Sequence, residues 1–182
     1  VRFWILKVDE QRKIHDFTEK PGSAAALQGW QSFDDPLMPY LASMGIYIFN
    51  PLVLANLLEQ TEGAFFGTDI IPVAIERHRM FTYQFHDYWE DIGDILSFYR
   101  ANLALTHFNA PFNLYDPNTM IYTRPRFLPS SRTEGCQLRN VLLADGGNLI
   151  RTEAEETIIG VRSYISADTR IYRSVLMGAD YY

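Results

Sequence analysis

Hydrophobic and polar positions alternate in some stretches of this chain and recur at helical spacing in others, and the changes of period divide it into elements. "VRFWILKVDEQRKIHDF" reads as an apolar strand from Val1, a polar turn around Asp9 to Arg12 and a second strand at Lys13 to Phe17, the pattern of a hairpin. A loop runs from Thr18 to Pro39, and "YLASMGIYIFN" (40–50) predicts a buried strand. Asn50 then opens a helix. It has the N-cap residue type, Pro51 takes the favoured first position, and Leu52, Leu54, Leu57 and Leu58 supply an apolar face through Gln60. "TDIIPVAIE" (68–76) and "MFTYQF" (80–85) predict two more short strands, while "DILSFYRANLALT" (94–106) has helical spacing. Strands alternating with helices predict an α/β layer.

After Thr106 the texture changes. Residues 107–133 hold four prolines and several aromatics with no clear period, which predicts an extended linker lying on a surface. The tail then takes up a six-residue period: Ile159, Ile165, Ile171 and Met177, with Val161, Val175 and Leu176 beside them, in a segment too rich in Gly, Ser and Thr for a long helix. That period predicts a parallel β-helix whose Ile159, Ile165 and Ile171 stack inward as one column; ordinary strands separated by turns are the alternative. A β-helix that stopped at Tyr182 would expose its last coil, and nothing precedes the first strand, so the chain is expected to be part of a longer one.

Composition adds bounds. A chain of 182 residues, 47% hydrophobic and 14% aromatic, has enough apolar material for one domain or one and a part. Its formal charge of −6 and lack of a basic run argue against nucleic acid as a partner, and any phosphate site has to be local. No apolar run approaches membrane-spanning length, so no membrane partner is expected. The single Cys136 has no ligand-type neighbour at metal spacing and reads as a small apolar filler.

The densest chemistry is "YWEDIG" (88–93), at the junction between the strand-like "TYQF" and the helix. Acids there can cap the helix, which suits Asp94 best; Asp91 lies further from the periodic run, behind Trp89. Taken alone, Glu19 and Lys20 read as an exposed charged pair at a strand end, and Ser43 as a small residue entering a strand.

The motifs "FTEKP", "ASMGIYIFN", "GTDIIP", "YWEDIGDILSFYRANLALT", "IYTRPRFLPS" and "SVLMGADYY" fall in an order and at a spacing that resemble the ADP-glucose pyrophosphorylase (glucose-1-phosphate adenylyltransferase) family, nearly end to end. The resemblance implies an α/β fold: the C-terminal half of a Rossmann-like nucleotidyltransferase domain followed by the start of a left-handed parallel β-helix. On this reading residues 1–106 belong to the catalytic domain, 107–133 are the linker and 134–182 begin the β-helix. The family's Gly-rich phosphate loop and first metal-binding aspartate are expected upstream of Val1, so this chain alone is expected to be inactive.

In that family the phosphate of glucose 1-phosphate attacks the α-phosphorus of ATP, and two anions must be brought together. By resemblance, Lys20 meets the sugar phosphate and Glu19 the glucose hydroxyls. Ser43 touches the glucose, and Gly45 lets the backbone approach it. Asp91 is similar to the family's second metal aspartate and is expected to hold Mg²⁺ against the phosphates. Glu90 is expected to hydrogen-bond the sugar or a neighbouring base, and Trp89 to line the glucose pocket. Arg124 and Arg126 resemble a position that binds regulatory anions. The resemblance further implies ATP and glucose 1-phosphate as substrates, small anionic effectors, a homo- or hetero-tetramer, and a cytoplasmic location or, in a plant, the plastid stroma.

The chain departs from the family pattern at Phe65, where an acid is usual, at Asp87 and Asp94, and in "LPSSR". Two other functions fit the same resemblance: a non-catalytic regulatory subunit of the assembly, and a related sugar-phosphate nucleotidyltransferase. A hexapeptide-repeat acyltransferase needs a histidine on the β-helix, and His15, His78, His86 and His107 all precede it.

Overall fold

Asn50 caps its helix as the sequence predicts. In the computed structural model, which describes residues 3–23, 25–63 and 65–181, its side chain accepts the Leu52 N–H at 3.0 Å, and helix α1 runs from Pro51 to Gln60. The hairpin is also present: β1 (Ile5–Val8) pairs antiparallel with β2 (Ile14–Thr18). Val1 and Arg2, where the sequence starts the first strand, lie outside the described residues. The turn is closed by Asp9, whose carboxylate accepts the Gln11 and Lys13 N–H groups and lies 2.8 Å from His15 Nε2. A two-residue strand β3 (Leu41–Ala42) lies antiparallel on the other side of β1, giving the sheet order β2-β1-β3.

Three predicted strands of this first compact unit, which ends at His86, turn out differently. Beyond Ala42 the segment to Phe49 bends at Gly45 and has no strand partner among the described residues. Tyr47 and Phe49 turn in towards Phe66, with ring centroids 5.5 and 5.7 Å away, while Ile46 and Ile48 point out and are 74% and 98% exposed. The alternation is real; burial on both faces is not. The segment 68–76 is helical, a π-helical turn (Phe66–Ile70) running into α2 (Ile71–Arg77). Ile70, Ile71 and Ala74 are all buried, Ile70 and Ala74 clustering with Leu57 of α1, and Pro72 sits in the first turn of α2, where its missing N–H costs nothing. Packing at helical spacing outweighs the strand preference of the Ile-Ile pair. The segment 80–85 contributes only a bridge between Phe81 and Lys13.

The second unit begins at Asp87. Helix α3 (Ile95–Ala104) starts at Asp94, whose Oδ1 accepts the Ser97 N–H at 2.8 Å. Residues 105–131 then carry no helix or strand. The rest is a three-sided parallel coil. One side is β4 (Arg132–Glu134), β6 (Asn148–Ile150) and β8 (Tyr164–Ile165). The other two are formed by β5 (Gln137–Leu143) and β7 (Glu153–Ile159), continued by β9 (Arg170–Tyr172) on one and β10 (Val175–Leu176) on the other. The bends between sides fall on residues with left-handed backbone. Gly135, Arg151 and Asp168 mark one corner, Asn140, Glu156 and Arg173 the next, and Gly146, Arg162 and Gly178 the third. At the first corner Arg151 binds Asp168 through two nitrogens (3.1 and 3.0 Å), and the guanidinium holds that carboxyl below its ordinary value.

The register corrects the predicted column. Leu149 faces Ile165, sixteen residues on, and Ala154 faces Ile171 while Ile159 faces Leu176, each seventeen on. A step of six therefore carries the chain from one side of the triangle to the next, so Ile159, Ile165 and Ile171 converge from three sides on one core with Leu149 and do not stack on each other. Met177, read as the fourth member, is 78% exposed, and Leu176 fills the inward place. Thr152 and Thr157, also buried, return their hydroxyls to the carbonyls of Ile150 and Glu155, which satisfies them. Cys136 packs at the edge of this core, as a filler should. Leu149 is wholly buried, so Leu149→Ala is expected to destabilise the unit by about 2–5 kcal/mol, read as a lowered urea midpoint at unchanged slope.

Candidate functional site

Antiparallel pairing on both flanks of β1 brings together residues far apart in sequence. Thr18 and Ala42 both stand opposite Ile5, one on each side. The chain therefore leaves β2 into Glu19 and Lys20, and leaves β3 into Ser43, at the same end of the sheet. Two strand spacings separate these exits, about 10 Å, a span that a sugar phosphate can bridge. Trp4 sits between them, and its carbonyl accepts the Ser43 N–H at 2.9 Å.

Lys20 has φ +34°, left-handed for a non-glycine residue and immediately before Pro21, which disfavours most compact conformations of its predecessor. Such backbone costs on the order of 1–3 kcal/mol and persists only where the surroundings impose it. Here Pro21 is buried while Glu19 and Lys20 are exposed, so the anchor is inside and the charges point to solvent. Neither charge has an ion-pair partner among the described residues. Ser43 Oγ lies 3.1 Å from the Tyr47 hydroxyl and accepts the Gly45 N–H at 3.2 Å. Gly45 has φ +74° and open space where a side chain would stand, so it is the backbone turn that requires glycine there.

Trp4 and Tyr47 are the neighbours that sequence reasoning missed. The Trp4 ring stacks on Phe17 with centroids 4.9 Å apart, and a side chain at Gly67 would come within 2.6 Å of it, which explains the glycine of "GTDIIP". The available signal was a tryptophan at the mouth of an apolar strand, indistinguishable from core without the pairing register.

In the second unit, "YWEDIG" is an irregular segment leading into α3. Capping falls to Asp94, and Asp91 does something else: it is exposed, and its Oδ1 accepts only the Gly93 N–H at 3.1 Å, leaving Oδ2 without a partner among the described residues. Glu90 is exposed, Trp89 is half-buried, and the Tyr88 ring lies 6.0 Å from that of Phe112. No three His, Cys, Asp or Glu side chains gather as a metal cage among the described residues. A single carboxylate with an open oxygen nevertheless fits the way Mg²⁺ is held, through one or two carboxylates with phosphate and water oxygens completing the octahedron. Arg124 and Arg126 are exposed, with no ion pair among the described residues. A groove of about 620 Å³ in this unit runs between the segment 105–115 and β5, and none of the assigned residues lines it.

Two family models match the chain. A nucleotidyl transferase model covers residues 1–107, and a GLGC left-handed parallel beta-helix domain model covers residues 126–182. The second fixes the hand of the three-sided coil; the first takes in the hairpin sheet, "YWEDIG" and α3. Over more than half of its length, therefore, the chain belongs to the nucleotidyl transferase family, joined to a left-handed β-helix of the GLGC type, the pairing of the ADP-glucose pyrophosphorylase family.

Proposed function

We propose that the chain is part of an enzyme that transfers the adenylyl group of ATP to glucose 1-phosphate, giving ADP-glucose for glycogen or starch synthesis and releasing pyrophosphate. The two family matches support sugar-phosphate nucleotidyl transfer in general; adenylyl and glucosyl are our reading. The observation that carries it is the convergence of Glu19, Lys20, Ser43 and Gly45 on one end of the sheet, with Lys20 held in a strained conformation beside a buried proline.

A phosphate oxygen of glucose 1-phosphate forms the new bond to the α-phosphorus, and the bond from that phosphorus to the oxygen bridging to the β-phosphate breaks, its electrons leaving with pyrophosphate. Lys20 neutralises the sugar phosphate, so the attacking anion approaches without full repulsion. Glu19 and the Ser43 hydroxyl take the glucose hydroxyls; Trp89 and Glu90 are assigned to sugar binding by the family resemblance. Asp91 presents its open oxygen to Mg²⁺, which when bound supplies charge stabilisation for the phosphates. Arg124 and Arg126 are proposed to receive a small anionic effector, in a tetrameric enzyme of the cytoplasm or plastid stroma.

The test is pyrophosphate release by the intact subunit with Mg²⁺, comparing ATP with UTP and dTTP, and glucose 1-phosphate with mannose 1-phosphate. Preference for ATP and glucose 1-phosphate supports the reading. Preference for another pair leaves the family chemistry standing and removes the adenylyl or glucosyl assignment, and no release with any pair points to a regulatory subunit.

A further inference from the structure

Helix α3 falls within the nucleotidyl transferase match yet folds with the β-helix, packing on β7 and β10. A long-range side-chain bond joins it to the coil: the Tyr99 hydroxyl donates to the Arg173 carbonyl at 2.7 Å. That carbonyl belongs to a corner fixed three times over. Arg173 has φ +45°, its N–H donates to Glu155 O at 2.9 Å, and its Nε lies 3.4 Å from the Glu156 carboxylate on the coil above. At the N-terminal end of the helix, two consecutive side-chain bonds tie the backbone from 91 to 97: the Gly93 N–H donates to Asp91 and the Ser97 N–H to the cap Asp94. The tethered stretch ends two residues before Tyr99, less than one helical turn away.

We propose that Tyr99 is a positioning residue: its bond to the β-helix corner sets where α3 sits, and through the two side-chain bonds it sets the 88–94 segment that presents Asp91. This rests on the function proposed above only for its catalytic consequence; the placement of the segment stands on geometry. Tyr99→Phe keeps the ring and removes the hydroxyl alone. In the intact subunit, hydrogen exchange of the Gly93 and Ser97 amides is expected to quicken about five-fold, with kcat for pyrophosphate release falling by a similar factor and KM for glucose 1-phosphate unchanged. Tyr164→Phe, which removes an exposed hydroxyl elsewhere on the coil, should move none of these. Exchange over 88–98 that stays at the wild-type rate in Tyr99→Phe overturns the proposal, whatever happens to turnover. Should the wild-type subunit release no pyrophosphate, the exchange measurement still decides the positioning claim, and only the functional reading falls.

Discussion

Asp91→Asn in the intact subunit is expected to lower turnover by about 10²–10³-fold or more, the cost of withdrawing charge stabilisation from a reaction between anions. The substitution is matched in shape. Asparagine can still accept the Gly93 N–H through its carbonyl oxygen, so the local turn survives and the thermal midpoint should stay within about one degree of wild type, as for most exposed changes. What disappears is the negative charge of the carboxylate, whose Oδ2 has no partner among the described residues. If Asp91 were only a turn-forming residue, activity would survive, because Asn serves such turns as well as Asp. Steady-state pyrophosphate release, measured with Mg²⁺ varied, separates the two cases: full activity in the variant removes Asp91 from the metal site.

Lys20→Gln has the second largest expected effect, and a different signature. Loss of a charge-assisted hydrogen bond to the sugar phosphate should raise KM for glucose 1-phosphate by about 10- to 100-fold, while KM for ATP changes little. Equal effects on both substrates would mean that the substitution had disturbed the Glu19-Lys20-Pro21 turn as a whole. Lys20→Gly separates that possibility, since glycine relieves the left-handed backbone yet lacks the ammonium. It should show the same selective rise in KM together with a stability equal to or above wild type.

The elements legible in the sequence are those whose signals are local. Asn50-Pro51 and Asp94 announce their helices because the cap lies within three residues of the donor it satisfies. The hairpin is legible because Asp9 and the residues it ties are neighbours. The segment 68–76 was not, since its helix depends on Leu57 of α1 accepting Ile70 and Ala74, a contact that no window around the two isoleucines contains. The six-residue period identified the β-helix but not its stacking, because the period measures one side of the coil while stacking depends on how many residues each corner consumes. The site follows the same rule. Glu19, Lys20, Ser43 and Gly45 were grouped by family resemblance alone; their meeting at one sheet end follows from β1 pairing on both sides, and Trp4, at the centre of that end, had no motif to mark it.

The corners of the β-helix bear on how this chain can change length. From β6 to β8 the register is sixteen residues, and from β7 to β9 it is seventeen, so one additional residue has been taken up between Ile165 and Arg170. The strands on both sides keep their pairing, and Thr169 closes the enlarged bend by donating its hydroxyl to the Ser166 carbonyl at 2.7 Å. A residue added within a side would reverse which side chains face inward from that point on, whereas one added at a bend is confined to solvent. Length variation among related chains should accordingly gather at the three vertices, and single-residue deletions there should be survivable where the same deletion in β6 is not.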